Sequence, residues 1–193
     1  MTEGTPVFTE ETEAGWRALL ELTPEASQAV RRAEGEARAM RHVAVEPEHQ
    51  LLALFGIRGG VTANVLAGAG LTAGPVRSLV QDRLGPGSGQ VPEGQIPFSR
   101  AAMEAMDAAS RVAFGVGSAR IGTEHLLLAM VSLLNDGGAL QIIRELNVDP
   151  AAIRVGIKKS FQRPTGSGED LHGPGLTVRS VALGPMRPTH DWQ

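Results

Sequence analysis

Between residues 24 and 40 the apolar positions Ala26, Ala29, Val30, Ala33, Ala37 and Met40 recur every three or four residues. That period lays them along one face of a helix. Thr23 and Pro24 supply an N-cap and the proline favoured at the first helical position. A second apolar run, residues 47–55, stops before the pair Gly59 and Gly60. A third covers 62–67 and ends at Gly68 and Gly70, and a fourth covers 74–84. The pattern then restarts. Ser99 caps a helix carrying Ala102, Met106, Ala109 and Ala113, and further helices are predicted over 123–134, 139–146 and 150–161. Asp149 and Pro150 mark the last start. No segment sustains period-two alternation, so the predicted fold is all-α.

The restart is an internal repeat. At an offset of 76 residues Leu22 and Thr23 meet Phe98 and Ser99, Val45 meets Ile121, and Glu48 and His49 meet Glu124 and His125. After a one-residue insertion Val65 pairs with Ile142, Leu71 with Val148, and Val76 and Arg77 with Ile153 and Arg154. Two tandem four-helix repeats related by an approximate twofold follow, over 22–84 and 98–161, joined by the glycine- and proline-rich linker 85–97. Residues 1–21 read as an extension in which Phe8, Trp16, Leu19 and Leu20 are spaced for a short amphipathic helix. Residues 162–193 have turn-rich composition and are expected to be flexible. Within them "LTVRSVAL" (176–183) is suited to adding as a strand to a partner's sheet edge.

Composition narrows the function by exclusion. The 193 residues are 42% apolar and 20% charged, with a net charge of −3. Nothing in that balance calls for nucleic acid or an anionic membrane. There is no cysteine, which removes disulfides and thiolate metal sites and fits a cytoplasmic setting. No apolar run approaches the roughly 20 residues of a membrane span. The nucleotide-binding loop G-x-x-x-x-G-K-[ST], the H-E-x-x-H helix and the nucleophile elbow are all missing from the sequence. No catalytic residue, metal site or cofactor is expected.

What remains is the pair of helix starts that carry Glu–His. One reading is structural: the glutamate favours the positive helix end and the histidine tucks into the core. The other is functional: free N–H groups at a helix start receive an anion while the adjacent carboxylate holds a guanidinium.

The segments "LTPEASQAVRRAEGEARAMRH", "EHQLLAL", "GQIPFSRAAMEAMDAAS" and "IGTEHLLLAM" resemble the double Clp repeat, the amino-terminal domain that precedes the ATPase rings of ClpC- and ClpA-type unfoldases. The resemblance covers about residues 19–161 and implies a non-catalytic binding module. Its implied partners are a Clp unfoldase, its adaptors or its substrates, including proteins tagged by arginine phosphorylation, and cyclic-peptide antibiotics. It implies phosphoarginine-binding glutamates at Glu48 and Glu124. Around Glu124 the Gly122-Thr123-Glu124 motif is intact, with Thr123 expected to cap the helix. Around Glu48 the chain has Glu46 and Pro47 instead, adding a negative charge and removing an N–H. The second site is therefore expected to outrank the first. An adaptor and cyclic-peptide surface is implied at Leu19, Phe98 and Met103; Leu19 and Met103 depart from the aromatic and lysine of that group, and Phe98 is also placed to act as a staple before the Ser99 cap. Adaptor, decoy and antibiotic sponge are the roles this allows. The alternative is a scaffolding domain whose ligand surfaces have eroded.

Overall fold

The computed structural model describes residues 21–87, 90–132 and 137–161. The readings made for residues 1–20, including Leu19 and Trp16, and for the segment from 162 onward lie outside the described residues. Helix α1 (Pro24–Ala39) starts as its sequence predicts: Thr23 Oγ1 accepts the N–H of Ala26 at 3.1 Å. Helix α5 (Arg100–Gly115) repeats the device, with Ser99 Oγ accepting from Ala102 at 3.2 Å. Both bury a stripe of alanines (Ala26, Ala29, Ala33 and Ala37; Ala102, Ala105, Ala109 and Ala113), and residues this small let a neighbouring helix come close.

The neighbours are α2 (Pro47–Leu54) and α6 (Thr123–Ser132). All eight residues of α2 are buried, as are eight residues of α6. A helix buried on every side belongs at the centre, and these two form it. Around them stand α3 (Gly60–Gly68), α4 (Ala73–Leu84), α7 (Gly138–Glu145) and α8 (Pro150–Phe161), giving two four-helix repeats around a single continuous core. Helix α3 begins two residues before the predicted 62, on glycines 59 and 60 at φ 73° and 77°.

Two features tie the repeats together. The lead-in to each repeat's first helix is zipped to the lead-in of the other repeat's second helix. Strand β1 (Glu21–Leu22) pairs in parallel with β2 (Arg120–Ile121), and Val45 forms the matching single bridge to Phe98. Pairs of two residues escape a periodicity test. The third helix also crosses over: α3 packs on α6 and α8 of the second repeat, and α7 reaches α2 and α4 of the first as well as its own α6 and α8. Gly156 of α8 faces Val65 of α3, while Arg83 of α4 pairs with Glu145 of α7 at 2.7 Å and bonds Gln141. The linker is held too. Arg38 donates to the carbonyls of Pro92 and Gly94 at 2.7 and 2.6 Å, and Ile96 is buried.

The second helices begin on histidines. Glu46 N–H donates to His49 Nδ1 at 2.9 Å and Gly122 N–H to His125 Nδ1 at 2.8 Å. This is the returning half of a capping box, with imidazole where glutamate or glutamine is usual. Because Nδ1 accepts, the neutral ring carries its proton on Nε2. In the first repeat that proton goes to His42 Nδ1 at 2.8 Å, and His42 Nε2 in turn donates to the carbonyl of Gly85 at 3.0 Å. In the second repeat Ser118 stands in the place of His42, and His125 stacks on Phe161 with ring centres 5.2 Å apart.

Burial, reinforced by His42, pulls His49 down to about 4, and burial lowers His125 despite the charge of Glu124. A histidine depressed in the folded state favours folding fully above its unfolded value near 6.5, and that contribution drains away as pH falls toward about 4. Thermal melts should therefore show stability decreasing across that window, by up to about 3 kcal/mol for His49 at 1.36 kcal/mol per unit. The pair His49→Gln and His125→Gln keeps an acceptor for the capping N–H and should flatten the slope; an unchanged slope would clear the histidines. A second expectation concerns Gln50, which is buried at the junction beside Ala29, Val30, Met106 and Leu126, and donates to the Ala102 carbonyl at 3.2 Å. Its mate by the repeat is Leu126. Gln50→Leu should raise stability in a urea melt by about 1 kcal/mol, the order of the cost of desolvating an amide that gains one weak bond. A loss would show that the amide is needed.

Candidate functional site

The repeat symmetry places two helix-start regions in equivalent surroundings, and the residues differ. In the first, Glu46 turns its carboxylate to accept the Ser99 hydroxyl at 2.6 Å, so the hydroxyl that caps α5 also serves an acid of the chain itself. Glu48 is 7% exposed and lies against Gly138, the first residue of α7, where a Cβ would collide with its carboxylate. Its acidity is weakened by burial, with Glu46 adding to the effect and Arg83 opposing it. Two carboxylates of the chain thus place negative charge beside this helix start, and Pro47 offers no N–H.

The second region is more open. The Glu124 side chain is 26% exposed and folds over Gly122, where any Cβ would meet it. Its oxygen lies 3.6 Å from His125 Nδ1, but this is no ion pair: that nitrogen already accepts from Gly122, and burial keeps the ring neutral. The expected role of Thr123 needs correction. The carbonyl of Gly122 takes the first helical bonds, from His125 and Leu126, so Thr123 is already inside the helix. Its hydroxyl turns instead to Thr62 of α3, 2.9 Å away. The structure therefore brings Thr62, a residue the sequence reading missed, against the segment Gly122, Thr123 and Glu124. Thr62 sits on a different repeat, and no local motif points to it.

Of the surface expected at Leu19, Phe98 and Met103, Leu19 lies outside the described residues. Phe98 and Met103 are buried in the core, Phe98 because its backbone bridges to Val45 and its side chain packs ahead of the Ser99 cap. They present no open face to a ligand. A cavity of about 270 Å³ opens elsewhere, between the α1–α2 loop and the end of α4, lined by Arg41, His42, Val43, Glu46, Leu84 and Pro86. Among the described residues no group of three or more histidines or carboxylates is placed to hold a metal, and no helix is long and apolar enough to cross a membrane.

With this geometry in place, comparison with known proteins gives a consistent answer. Residues 21–133 match the model of the Clp repeat (R) N-terminal domain. The chain is 37% identical over 133 residues to the chloroplastic chaperone protein ClpC3 of Oryza sativa subsp. japonica, covering 69% of this chain and 14% of that protein. It is 34% identical over 174 residues to the chloroplastic chaperone protein ClpC of Pisum sativum, covering 90% and 18%. The chain thus spans less than a fifth of the length of these relatives. Among solved structures, the N-terminal domain of ClpD from Arabidopsis thaliana superposes with a TM-score of 0.62 at 18% identity, covering 74% of this chain and 96% of that one. The N-domain of ClpV from Vibrio cholerae gives 0.62 at 16%, covering 86% and 98%. A ClpV N-domain has also been solved in complex with a VipB peptide, and it matches with a TM-score of 0.57 at 16% identity, covering 84% and 96%. On the family match, the buried pair of central helices and the doubled Glu–His helix start, the chain belongs to the Clp repeat N-terminal domain family.

Proposed function

We propose that the chain is a non-catalytic protein-binding module of Clp-dependent proteolysis, and that its working ligand site is the helix start at Gly122, Thr123 and Glu124. The observation that carries this reading is the contrast between equivalent glutamates: Glu48 is buried against Gly138, whereas Glu124 stays partly exposed over a glycine at a helix start. A helix start receives phosphate through N–H groups, and a carboxylate beside it receives a guanidinium, which together suit phosphoarginine on a tagged protein. Peptide binding by the ClpV N-domain fits a role of this kind. A module that shares ligands with an unfoldase acts as adaptor, decoy or modulator. Its effect is set by relative concentration, because each ligand partitions by mass action.

A scaffolding role with eroded ligand sites is the second reading. The self-filled first site and the buried Phe98 and Met103 favour it, and they remove support for cyclic-peptide binding at those side chains.

Titration with free phosphoarginine separates the two. Amide shifts should concentrate at residues 122–125 and be small at 46–49, and Glu124→Ala should weaken binding tenfold or more, the order expected for losing a charge-assisted bond. Stronger shifts at 46–49 would reverse the ranking of the sites. Silence at both, together with failure to capture a Clp unfoldase, adaptor or tagged substrate, would leave the scaffolding reading.

A further inference from the structure

We propose that the two-histidine relay of the first repeat is an acid-released latch holding the α1–α2 loop to the start of helix α2. Both ends of the relay are backbone groups, and they fix its direction. The Glu46 N–H can only donate, and it donates to His49 Nδ1; the Gly85 carbonyl can only accept, and it accepts from His42 Nε2. The bond between the rings, 2.8 Å long, therefore runs from His49 Nε2–H to His42 Nδ1. Each ring is neutral with its proton on Nε2, and no other placement satisfies all three bonds. One more proton breaks the chain. On His42 Nδ1 it faces the His49 Nε2–H, donor against donor; on His49 Nδ1 it faces the Glu46 N–H.

The added proton falls on His42. His49 is fully buried and held down to about 4, whereas His42 is half-buried on the wall of the cavity of about 270 Å³. The charged groups lining that cavity with it are Arg41 from its own loop and Glu46 from the α2 lead-in, of opposite sign; α4 and the linker contribute only Leu84, Pro86 and Gly87. Arg38 of α1 is committed to the linker carbonyls, Arg83 of α4 to Glu145, and Glu48 of α2 lies against Gly138. A protonated His42 keeps its Nε2–H on Gly85, the residue that ends α4, where a cation is favoured. What it gives up is His49, and with it the hold of α2 on residues 41–44. Arg41 sits there at φ 62°, a left-handed conformation that favours glycine, so the released turn has strain to shed. The relay is complete above the ordinary imidazole value of about 6.5 and weakens as pH falls below it. The second repeat has no such latch. Gly117 replaces Arg41, Ser118 replaces His42 and bonds to Arg120 in its own turn, and His125 Nε2 has no hydrogen-bond partner among the described residues.

The test is hydrogen exchange of the full chain at about pH 7.5 and about pH 5.5, either side of the imidazole value, corrected for the intrinsic pH dependence of the rate. The reporting amides are Arg41 and His42, which donate to the carbonyls of Arg38 and Ala37. Acid should lower their protection about ten- to a hundredfold, the scale of leaving one buried donor unpaired. Gly117 and Ser118 make the same two bonds in the second repeat, to Phe114 and Ala113, and should change little. His42→Gln supplies an acceptor and a donor without titrating, and should keep the loop protected at both values. His42→Ser copies the second repeat and should leave the loop open at both. Protection unmoved by acid in the wild type, or a loss that His42→Gln still shows, would overturn the latch. So would an equal loss at Gly117 and Ser118, the mark of general acid unfolding.

Discussion

The N–H group just ahead of each central helix has no helical partner and sits away from water, so another group must accept it. An imidazole three residues on does so in both repeats, at 2.9 and 2.8 Å. The rest of the architecture depends on that bond. It fixes where α2 and α6 begin, and it fixes the tautomer of each histidine. In the first repeat it starts a relay through His42 to the linker at Gly85. It also leaves the neighbouring glutamate free of any capping duty. The Glu–His pair is thus two residues with separate tasks, the histidine closing the backbone and the glutamate available for chemistry.

Duplication gave the two glutamates the same starting geometry, and local residues then separated them. One turn of helix α7 lies over Glu48, and Gly138 is there because any side chain would strike the carboxylate. Glu46 adds a second acid and engages Ser99. Near Glu124 the corresponding clutter is gone: a glycine precedes the helix and a threonine pair backs it. The asymmetry does not disturb the core, which is continuous across both halves. Stability and the proposed ligand chemistry therefore fall to different residues of the same short segments.

Much of this was legible along the chain. The alanine stripes, the Thr23 and Ser99 caps and the doubled Glu–His start depend on neighbours within four residues, where periodicity and capping rules apply. The difference between the two helix starts was legible too, because the missing N–H of Pro47 and the charge of Glu46 are properties of the residues themselves. Long-range pairings were not. Nothing near Thr62 announces a partner 61 residues away, and nothing near Phe98 announces that its backbone will bridge to Val45 and take the side chain inward. The crossing of the third helix is hidden for the same reason: an apolar face specifies that it will be covered but not by which copy. The family resemblance implied a ligand surface at Leu19, Phe98 and Met103; of these Phe98 and Met103 are buried, a fact that no local pattern announces.

The crossing of the third helix has a consequence for how such a molecule is assembled. A chain of half the length would have an α3 with no bundle of its own to rest on, and a central helix short of the cover that the other copy supplies. Its natural remedy is association with an identical half, each lending the other a helix, as in domain-swapped dimers. The linker held by Arg38 turns that encounter between two molecules into an intramolecular one. Joined in this way, the halves are free to diverge in sequence, which two identical subunits of a symmetric dimer could never do.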